Sequence, residues 1–120
     1  MKTISVLKQQ LMNTDIEICV KTDEGYFQIK IANLLYIEAA GDHVCLHFQS
    51  KQLITRDTMK NYLAKLSEHG FHQIHKSFMV NSSHVKQLSK LRFGEYNLVL
   101  SNSQELRLSR HYKAAVEHFI

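Results

Sequence analysis

Apolar and polar residues alternate along most of this chain at the two-residue period of a half-buried strand. Ile16, Ile18 and Val20 fall on one strand face, and Phe27, Ile29 and Ile31 on another. Leu35-Tyr36-Ile37-Glu38 is a compact apolar strand, and Val44, Leu46 and Phe48 point one way. Leu53 and Ile54 close a further short strand after the turn at Ser50-Lys51. Val85, Leu88, Leu91 and Phe93 run toward Gly94, and Tyr96–Leu100 returns from it, which is the pattern of a hairpin. Leu106 and Leu108 make the last strand, and glycines at 25, 41, 70 and 94 mark the breaks.

Two segments depart from this period. Over 57–68, Met59, Tyr62, Leu63 and Leu66 form one apolar stripe at helical spacing. Asp57 or Thr58 can cap its start and Gly70 suits its end. Over 109–118, Tyr112, Ala115, Val116 and Phe119 repeat the spacing, with Ser109 as the expected N-cap. The predicted fold class is mainly β: small antiparallel sheets with two short helices.

A chain of 120 residues makes one domain with a real core. The domain is expected over 16–120, with 1–15 as a lead-in or linker stub. No apolar run approaches the roughly 20 residues of a membrane helix, and the N-terminus lacks the apolar stretch of a signal peptide. Cys19 and Cys45 both lie in apolar alternating segments and are expected to be buried free thiols. A reducing, cytoplasmic compartment fits that usage.

Charge changes the picture more than composition does. The net charge is +4, but residues 1–50 carry −2 and residues 51–120 carry +6. That asymmetry predicts one positive face. The stretch F-H-Q-I-H-K-S-F-M-V-N at 71–81 fits it: Phe71, Ile74, Phe78 and Val80 can enter a core while His72, His75 and Lys76 stay at a surface. Ser109 opens the last helix with Arg110 and Lys113 in its first turn. Cations and donors at fixed positions suit an anionic, structured partner, and DNA is the leading candidate.

Other chemistries find little support. His69, His72 and His75 would gather a metal only on a continuous helix, and Gly70 breaks any helix there. No nucleophile–base pair, phosphate-binding loop or paired-carboxylate pattern is present, so neither an enzyme nor a cofactor is expected.

Taken in order, Tyr36–Ala39 (Y-I-E-A), Gly41–His43 (G-D-H), Thr55–Met59 (T-R-D-T-M), Phe71–Asn81, His84-Val85 and Leu108–Tyr112 (L-S-R-H-Y) resemble the LytTR domain of bacterial response regulators. The resemblance runs from about Ile16 to the end. It implies a β-rich domain that inserts loops, not a recognition helix, into successive major grooves of double-stranded DNA, on direct repeats in promoters. It further implies an upstream receiver or sensor domain, so the chain is either a stand-alone regulator or an excised C-terminal domain. Monomers or weak dimers would pair on DNA.

Under this resemblance, Arg110 is the leading base-reading residue, because a guanidinium bonds guanine O6 and N7 in a two-pronged manner. Lys76 falls where the family has a second base-reading residue, and His43 lies in its first DNA-facing turn. Ser109, Ser77, Arg56, His111 and Lys113 are the expected backbone contacts, Ser77 and Asn81 also bracing their loop. The competing expectation is a module that binds a protein or RNA through the same basic face.

Overall fold

The computed structural model describes residues 16–120; the lead-in or linker expected over 1–15 lies outside the described residues. Among the described residues there are ten strands: β1 (Glu17–Thr22), β2 (Gly25–Lys30), β3 (Tyr36–Ala40), β4 (His43–His47), β5 (Gln52–Thr55), β6 (Phe71–His75), β7 (Phe78–Asn81), β8 (Val85–Lys90), β9 (Tyr96–Leu100) and β10 (Glu105–Leu108). They form an antiparallel hairpin β1-β2, a central five-stranded sheet in the order β5-β4-β3-β7-β6, and a three-stranded sheet β10-β9-β8. The mainly β expectation is met.

The central sheet is buried on both faces, which explains why its sequence does not alternate cleanly. One face carries Ile37, Val44, Leu46, Phe71 and Met79, packed under the β1-β2 hairpin and the helix. The other carries Tyr36, Ile74 and Val80, packed against Leu98, Leu100, Leu106 and Leu108 of the three-stranded sheet and Ala115, Val116 and Phe119 of the C-terminal segment. β6 serves both faces: Phe71 enters one core and Ile74 the other, across a register shift between Gln73 and His75.

Helix α1 (Met59–Leu66) forms where the stripe predicts it. Thr58 Oγ1 accepts from the Asn61 N–H at 3.1 Å, and Asp57 Oδ1 accepts from the Thr58 N–H at 2.8 Å. Tyr62 and Leu66 are buried, and Gly70, at φ 86, ends the 3-10 turn that follows α1. Among the described residues, no helix is long and apolar enough to cross a membrane.

Four expectations are corrected. The segment Arg110–His118 is a 3-10 helix kinked at Tyr112, not an α-helix. Ser109 does not cap it with its side chain. Its first turn is closed by the Tyr112 N–H donating to Ser109 O at 2.8 Å, so that donor needs no side-chain partner. Cys19 is exposed, because strand alternation sends it to the opposite face from the buried Val20; Cys45 is buried, as expected. Phe78 is half-buried rather than fully enclosed, though it does pack on the second core.

Candidate nucleic-acid interface

Antiparallel pairing brings three separate stretches of chain to one end of the central sheet. β3 and β4 are joined by a two-residue turn, Gly41-Asp42, closed by the pair Ala40–His43. Gly41 sits at φ 64, the left-handed region that favours glycine in such turns. β6 and β7 are joined by Lys76-Ser77, closed by the pair His75–Phe78. Glu38 pairs with Phe78, and the Ala39 N–H donates to Ser77 O at 2.8 Å, so the two turns lie side by side. The third stretch arrives from β10: the Ser109 N–H donates to Ile74 O at 2.9 Å, which fixes Arg110 next to the end of β6.

The β6–β7 turn is braced from within. The Ser77 N–H donates to His75 Nδ1 at 3.1 Å, and the Gln73 amide donates to His75 O at 3.2 Å and, more weakly, to Lys76 O at 3.4 Å. Lys76 is left exposed at the tip. Asn81, at the far end of β7, is buried and bonds Leu34 O, Ser83 N–H and the Ser83 hydroxyl. It braces the fold rather than the rim.

At the other end of the rim, β5 pairs with β4 through Thr55 and Val44, so Arg56 comes out beside His43. Asp42 lies between them: its carboxylate is 2.7 Å from His43 Nδ1 and 3.4 Å from an Arg56 nitrogen. The His43 hydrogen bond, with the charges of His43 and Arg56, holds the Asp42 carboxyl below its ordinary value. That bond also fixes the His43 tautomer. With Nδ1 donating to Asp42, a neutral ring presents Nε2 as an acceptor, and only a protonated ring donates outward.

Arg110, His111 and Lys113 are exposed. Among the described residues, no carboxylate forms an ion pair with Arg110, Lys76 or Lys113. The stem of Arg110 rests on the β8–β9 turn, where a Cβ on Gly94 would come 3.1 Å from Arg110 Cγ. The rim thus gathers Arg56, His43, Ser77, Lys76, Ser109 and Arg110. Sequence reasoning missed Asp42, whose role depends on the β4–β5 register, and the β8–β9 turn beneath Arg110.

Two of the three histidines weighed as a metal cluster have other partners. His72 stacks on His118, with ring centroids 3.9 Å apart, and His75 lies edge-on to Phe78. Among the described residues, no group of three or more His, Cys, Asp or Glu is positioned to hold a metal.

The family model described as "LytTr DNA-binding domain" matches residues 24–120. A sensory transduction protein LytT of Oceanobacillus iheyensis is 30% identical over 105 residues, covering 87% of this chain and 42% of that protein. The LytT protein of Bacillus anthracis is 22% identical over 111 residues, covering 88% of this chain and 45% of its own. The chain therefore spans less than half the length of these relatives. A solved LytTr DNA-binding domain of a putative methyl-accepting/DNA response regulator from Bacillus cereus superposes with a TM-score of 0.75, at 18% identity, over 86% of this chain and 94% of that one. That likeness is one of fold.

Proposed function

Because the chain belongs to the LytTr DNA-binding domain family, we propose that it binds double-stranded DNA sequence-specifically, by turns inserted in the major groove, and regulates transcription from promoters carrying direct repeats. The observation behind this reading is the rim itself, where hydrogen-bonding and cationic side chains from three stretches of chain share one end of one sheet. Arg110 reads guanine through O6 and N7, Lys76 supplies a second base contact and His43 a third. His111, Lys113, Ser109, Ser77 and Arg56 hold phosphates and so set register without reading sequence.

Geometry favours turns over a recognition helix. At about 4.8 Å between neighbouring strands, the five strands span about 19 Å from β5, which leads to Arg56, to β6, which leads to Lys76. A major groove is about 12 Å wide. The two ends of the rim therefore enter at different points along the groove or in successive grooves. Those ends differ chemically, with Arg110 at one and His43, Asp42 and Arg56 at the other. Each copy thus binds with a direction, and two copies keep that direction on a direct repeat. The protein is a monomer or weak dimer that pairs on DNA, works in the cytoplasm and takes its input from an upstream receiver or sensor domain; residues 16–120 form the DNA-binding unit.

Selection of bound duplexes from a random pool tests this. Wild-type protein should enrich paired direct repeats, and Arg110→Ala should lose the enrichment while keeping its circular dichroism spectrum. Unselective, salt-sensitive binding by the wild type would overturn the reading in favour of a protein or RNA partner.

A further inference from the structure

Phe93 stands out on this surface. It is 79% exposed, the most exposed phenylalanine, and lies at φ 61 and ψ 33, a conformation that bulky side chains rarely adopt. The turn that holds it there is closed by the Leu91 N–H donating to Glu95 O at 2.8 Å and the Glu95 N–H donating to Arg92 O at 3.3 Å. Packing does not account for a strained backbone that exposes an apolar ring, and such outliers collect at binding sites. The location supports that view. Phe93 shares a shallow cleft with Ser109, Arg110 and His111, and the neighbouring Gly94 lies against the Arg110 stem. The remaining wall of the cleft, Glu95, is paired with Arg107 at 3.1 Å, which offsets the charge that would repel phosphate.

We propose that Phe93 is a specificity-determining residue whose ring covers the methyl group of a thymine beside the guanine read by Arg110. This rests on the major-groove reading given above. The thymine methyl is the apolar group exposed in that groove, and phenylalanine is among the side chains that contact it. Since the ring and the guanidinium line one cleft, the thymine lies within one or two base pairs of the guanine. Phe93 would thus add a preference for thymine that cations alone do not supply.

The test uses the duplex selected by the wild-type chain, with each thymine replaced singly by uracil, which removes only the methyl. Affinities are measured for wild type, Phe93→Ala, Phe93→Leu and Arg110→Ala. One uracil next to the Arg110-dependent guanine should weaken wild-type binding about 4-fold, the equivalent of burying one methyl-sized group at about 0.8 kcal/mol. Phe93→Ala should lose a similar factor on the thymine duplex and be indifferent to the uracil. Phe93→Leu should keep much of the methyl preference. If Arg110-dependent selectivity is intact but no uracil weakens binding, or Phe93→Ala retains the methyl effect, the Phe93 proposal fails while the DNA-binding reading stands. If Arg110→Ala changes nothing, both fail.

Discussion

Asn81→Ala should destabilise the domain by about 3 kcal/mol without disturbing the rim. Asn81 is only 3% exposed. Its amide donates to Leu34 O at 3.0 Å, and its Oδ1 accepts from the Ser83 N–H at 3.1 Å and the Ser83 hydroxyl at 2.8 Å. At about 1 kcal/mol net for each, these three bonds set the magnitude. The 3.4 Å contact to Ile31 O adds little, because that carbonyl already accepts from the Leu34 N–H at 3.0 Å. The Asn81 backbone N–H still donates to Leu35 O at 2.9 Å in the variant, so the loss belongs to the side chain alone. Urea unfolding at constant slope should show the loss, and the thermal midpoint should fall by about 12 °C, at about 4 °C per kcal/mol for a domain of this size. DNA affinity of the folded variant should match wild type, since Asn81 lies about 10 Å along β7 from the rim turn. A loss under 1 kcal/mol would refute the bracing role.

Other consequences follow from the same structure. Phe78→Ala should cost about 2 kcal/mol, below the 3–5 of an enclosed phenylalanine, because the ring is half-buried; a denaturation midpoint equal to wild type would contradict its contact with the second core. Burial and then the nearby His118 hold the His72 imidazole below its ordinary value, so the unfolded chain takes up this proton first as pH falls. Stability should therefore decline below about pH 6.5, and His72→Phe should flatten that decline; equal slopes for both proteins would argue against it. Lys113→Ala should weaken binding alike across duplexes and shallow the salt slope by about one unit, whereas an effect confined to one base position would contradict phosphate contact.

Much of the fold is legible in the chain because its signals are local. Val44, Leu46 and Phe48 alternate and are all buried, and the stripe Met59, Tyr62, Leu63 and Leu66 folds as α1 behind a Thr58 cap. Central strands are harder: Leu34-Leu35-Tyr36-Ile37 is an unbroken apolar run because both sheet faces are covered, so period two cannot say which residue enters which core. Cys19 illustrates the limit at an edge ribbon, where an apolar neighbourhood in sequence does not bury both faces. At the 109–118 segment, apolar spacing finds the buried side but cannot separate an α-helix from a kinked 3-10 turn, which the bond from Ser109 to Ile74 and the Tyr112 kink decide. The rim residues are legible from charge pattern and motif resemblance. Their common address, and the position of Asp42 between His43 and Arg56, emerge only from strand register.

The most direct check on the central claim is a set of affinities for the selected duplex with each guanine replaced singly by 7-deazaguanine, which removes the N7 acceptor from the major groove. The account predicts one guanine per half-site whose replacement weakens wild-type binding by about fivefold or more, the lower end of the 1–3 kcal/mol of a bidentate contact because O6 remains, and has no effect on Arg110→Ala. Sensitivity that persists in Arg110→Ala, or none at any guanine in the wild type, would contradict major-groove reading by Arg110.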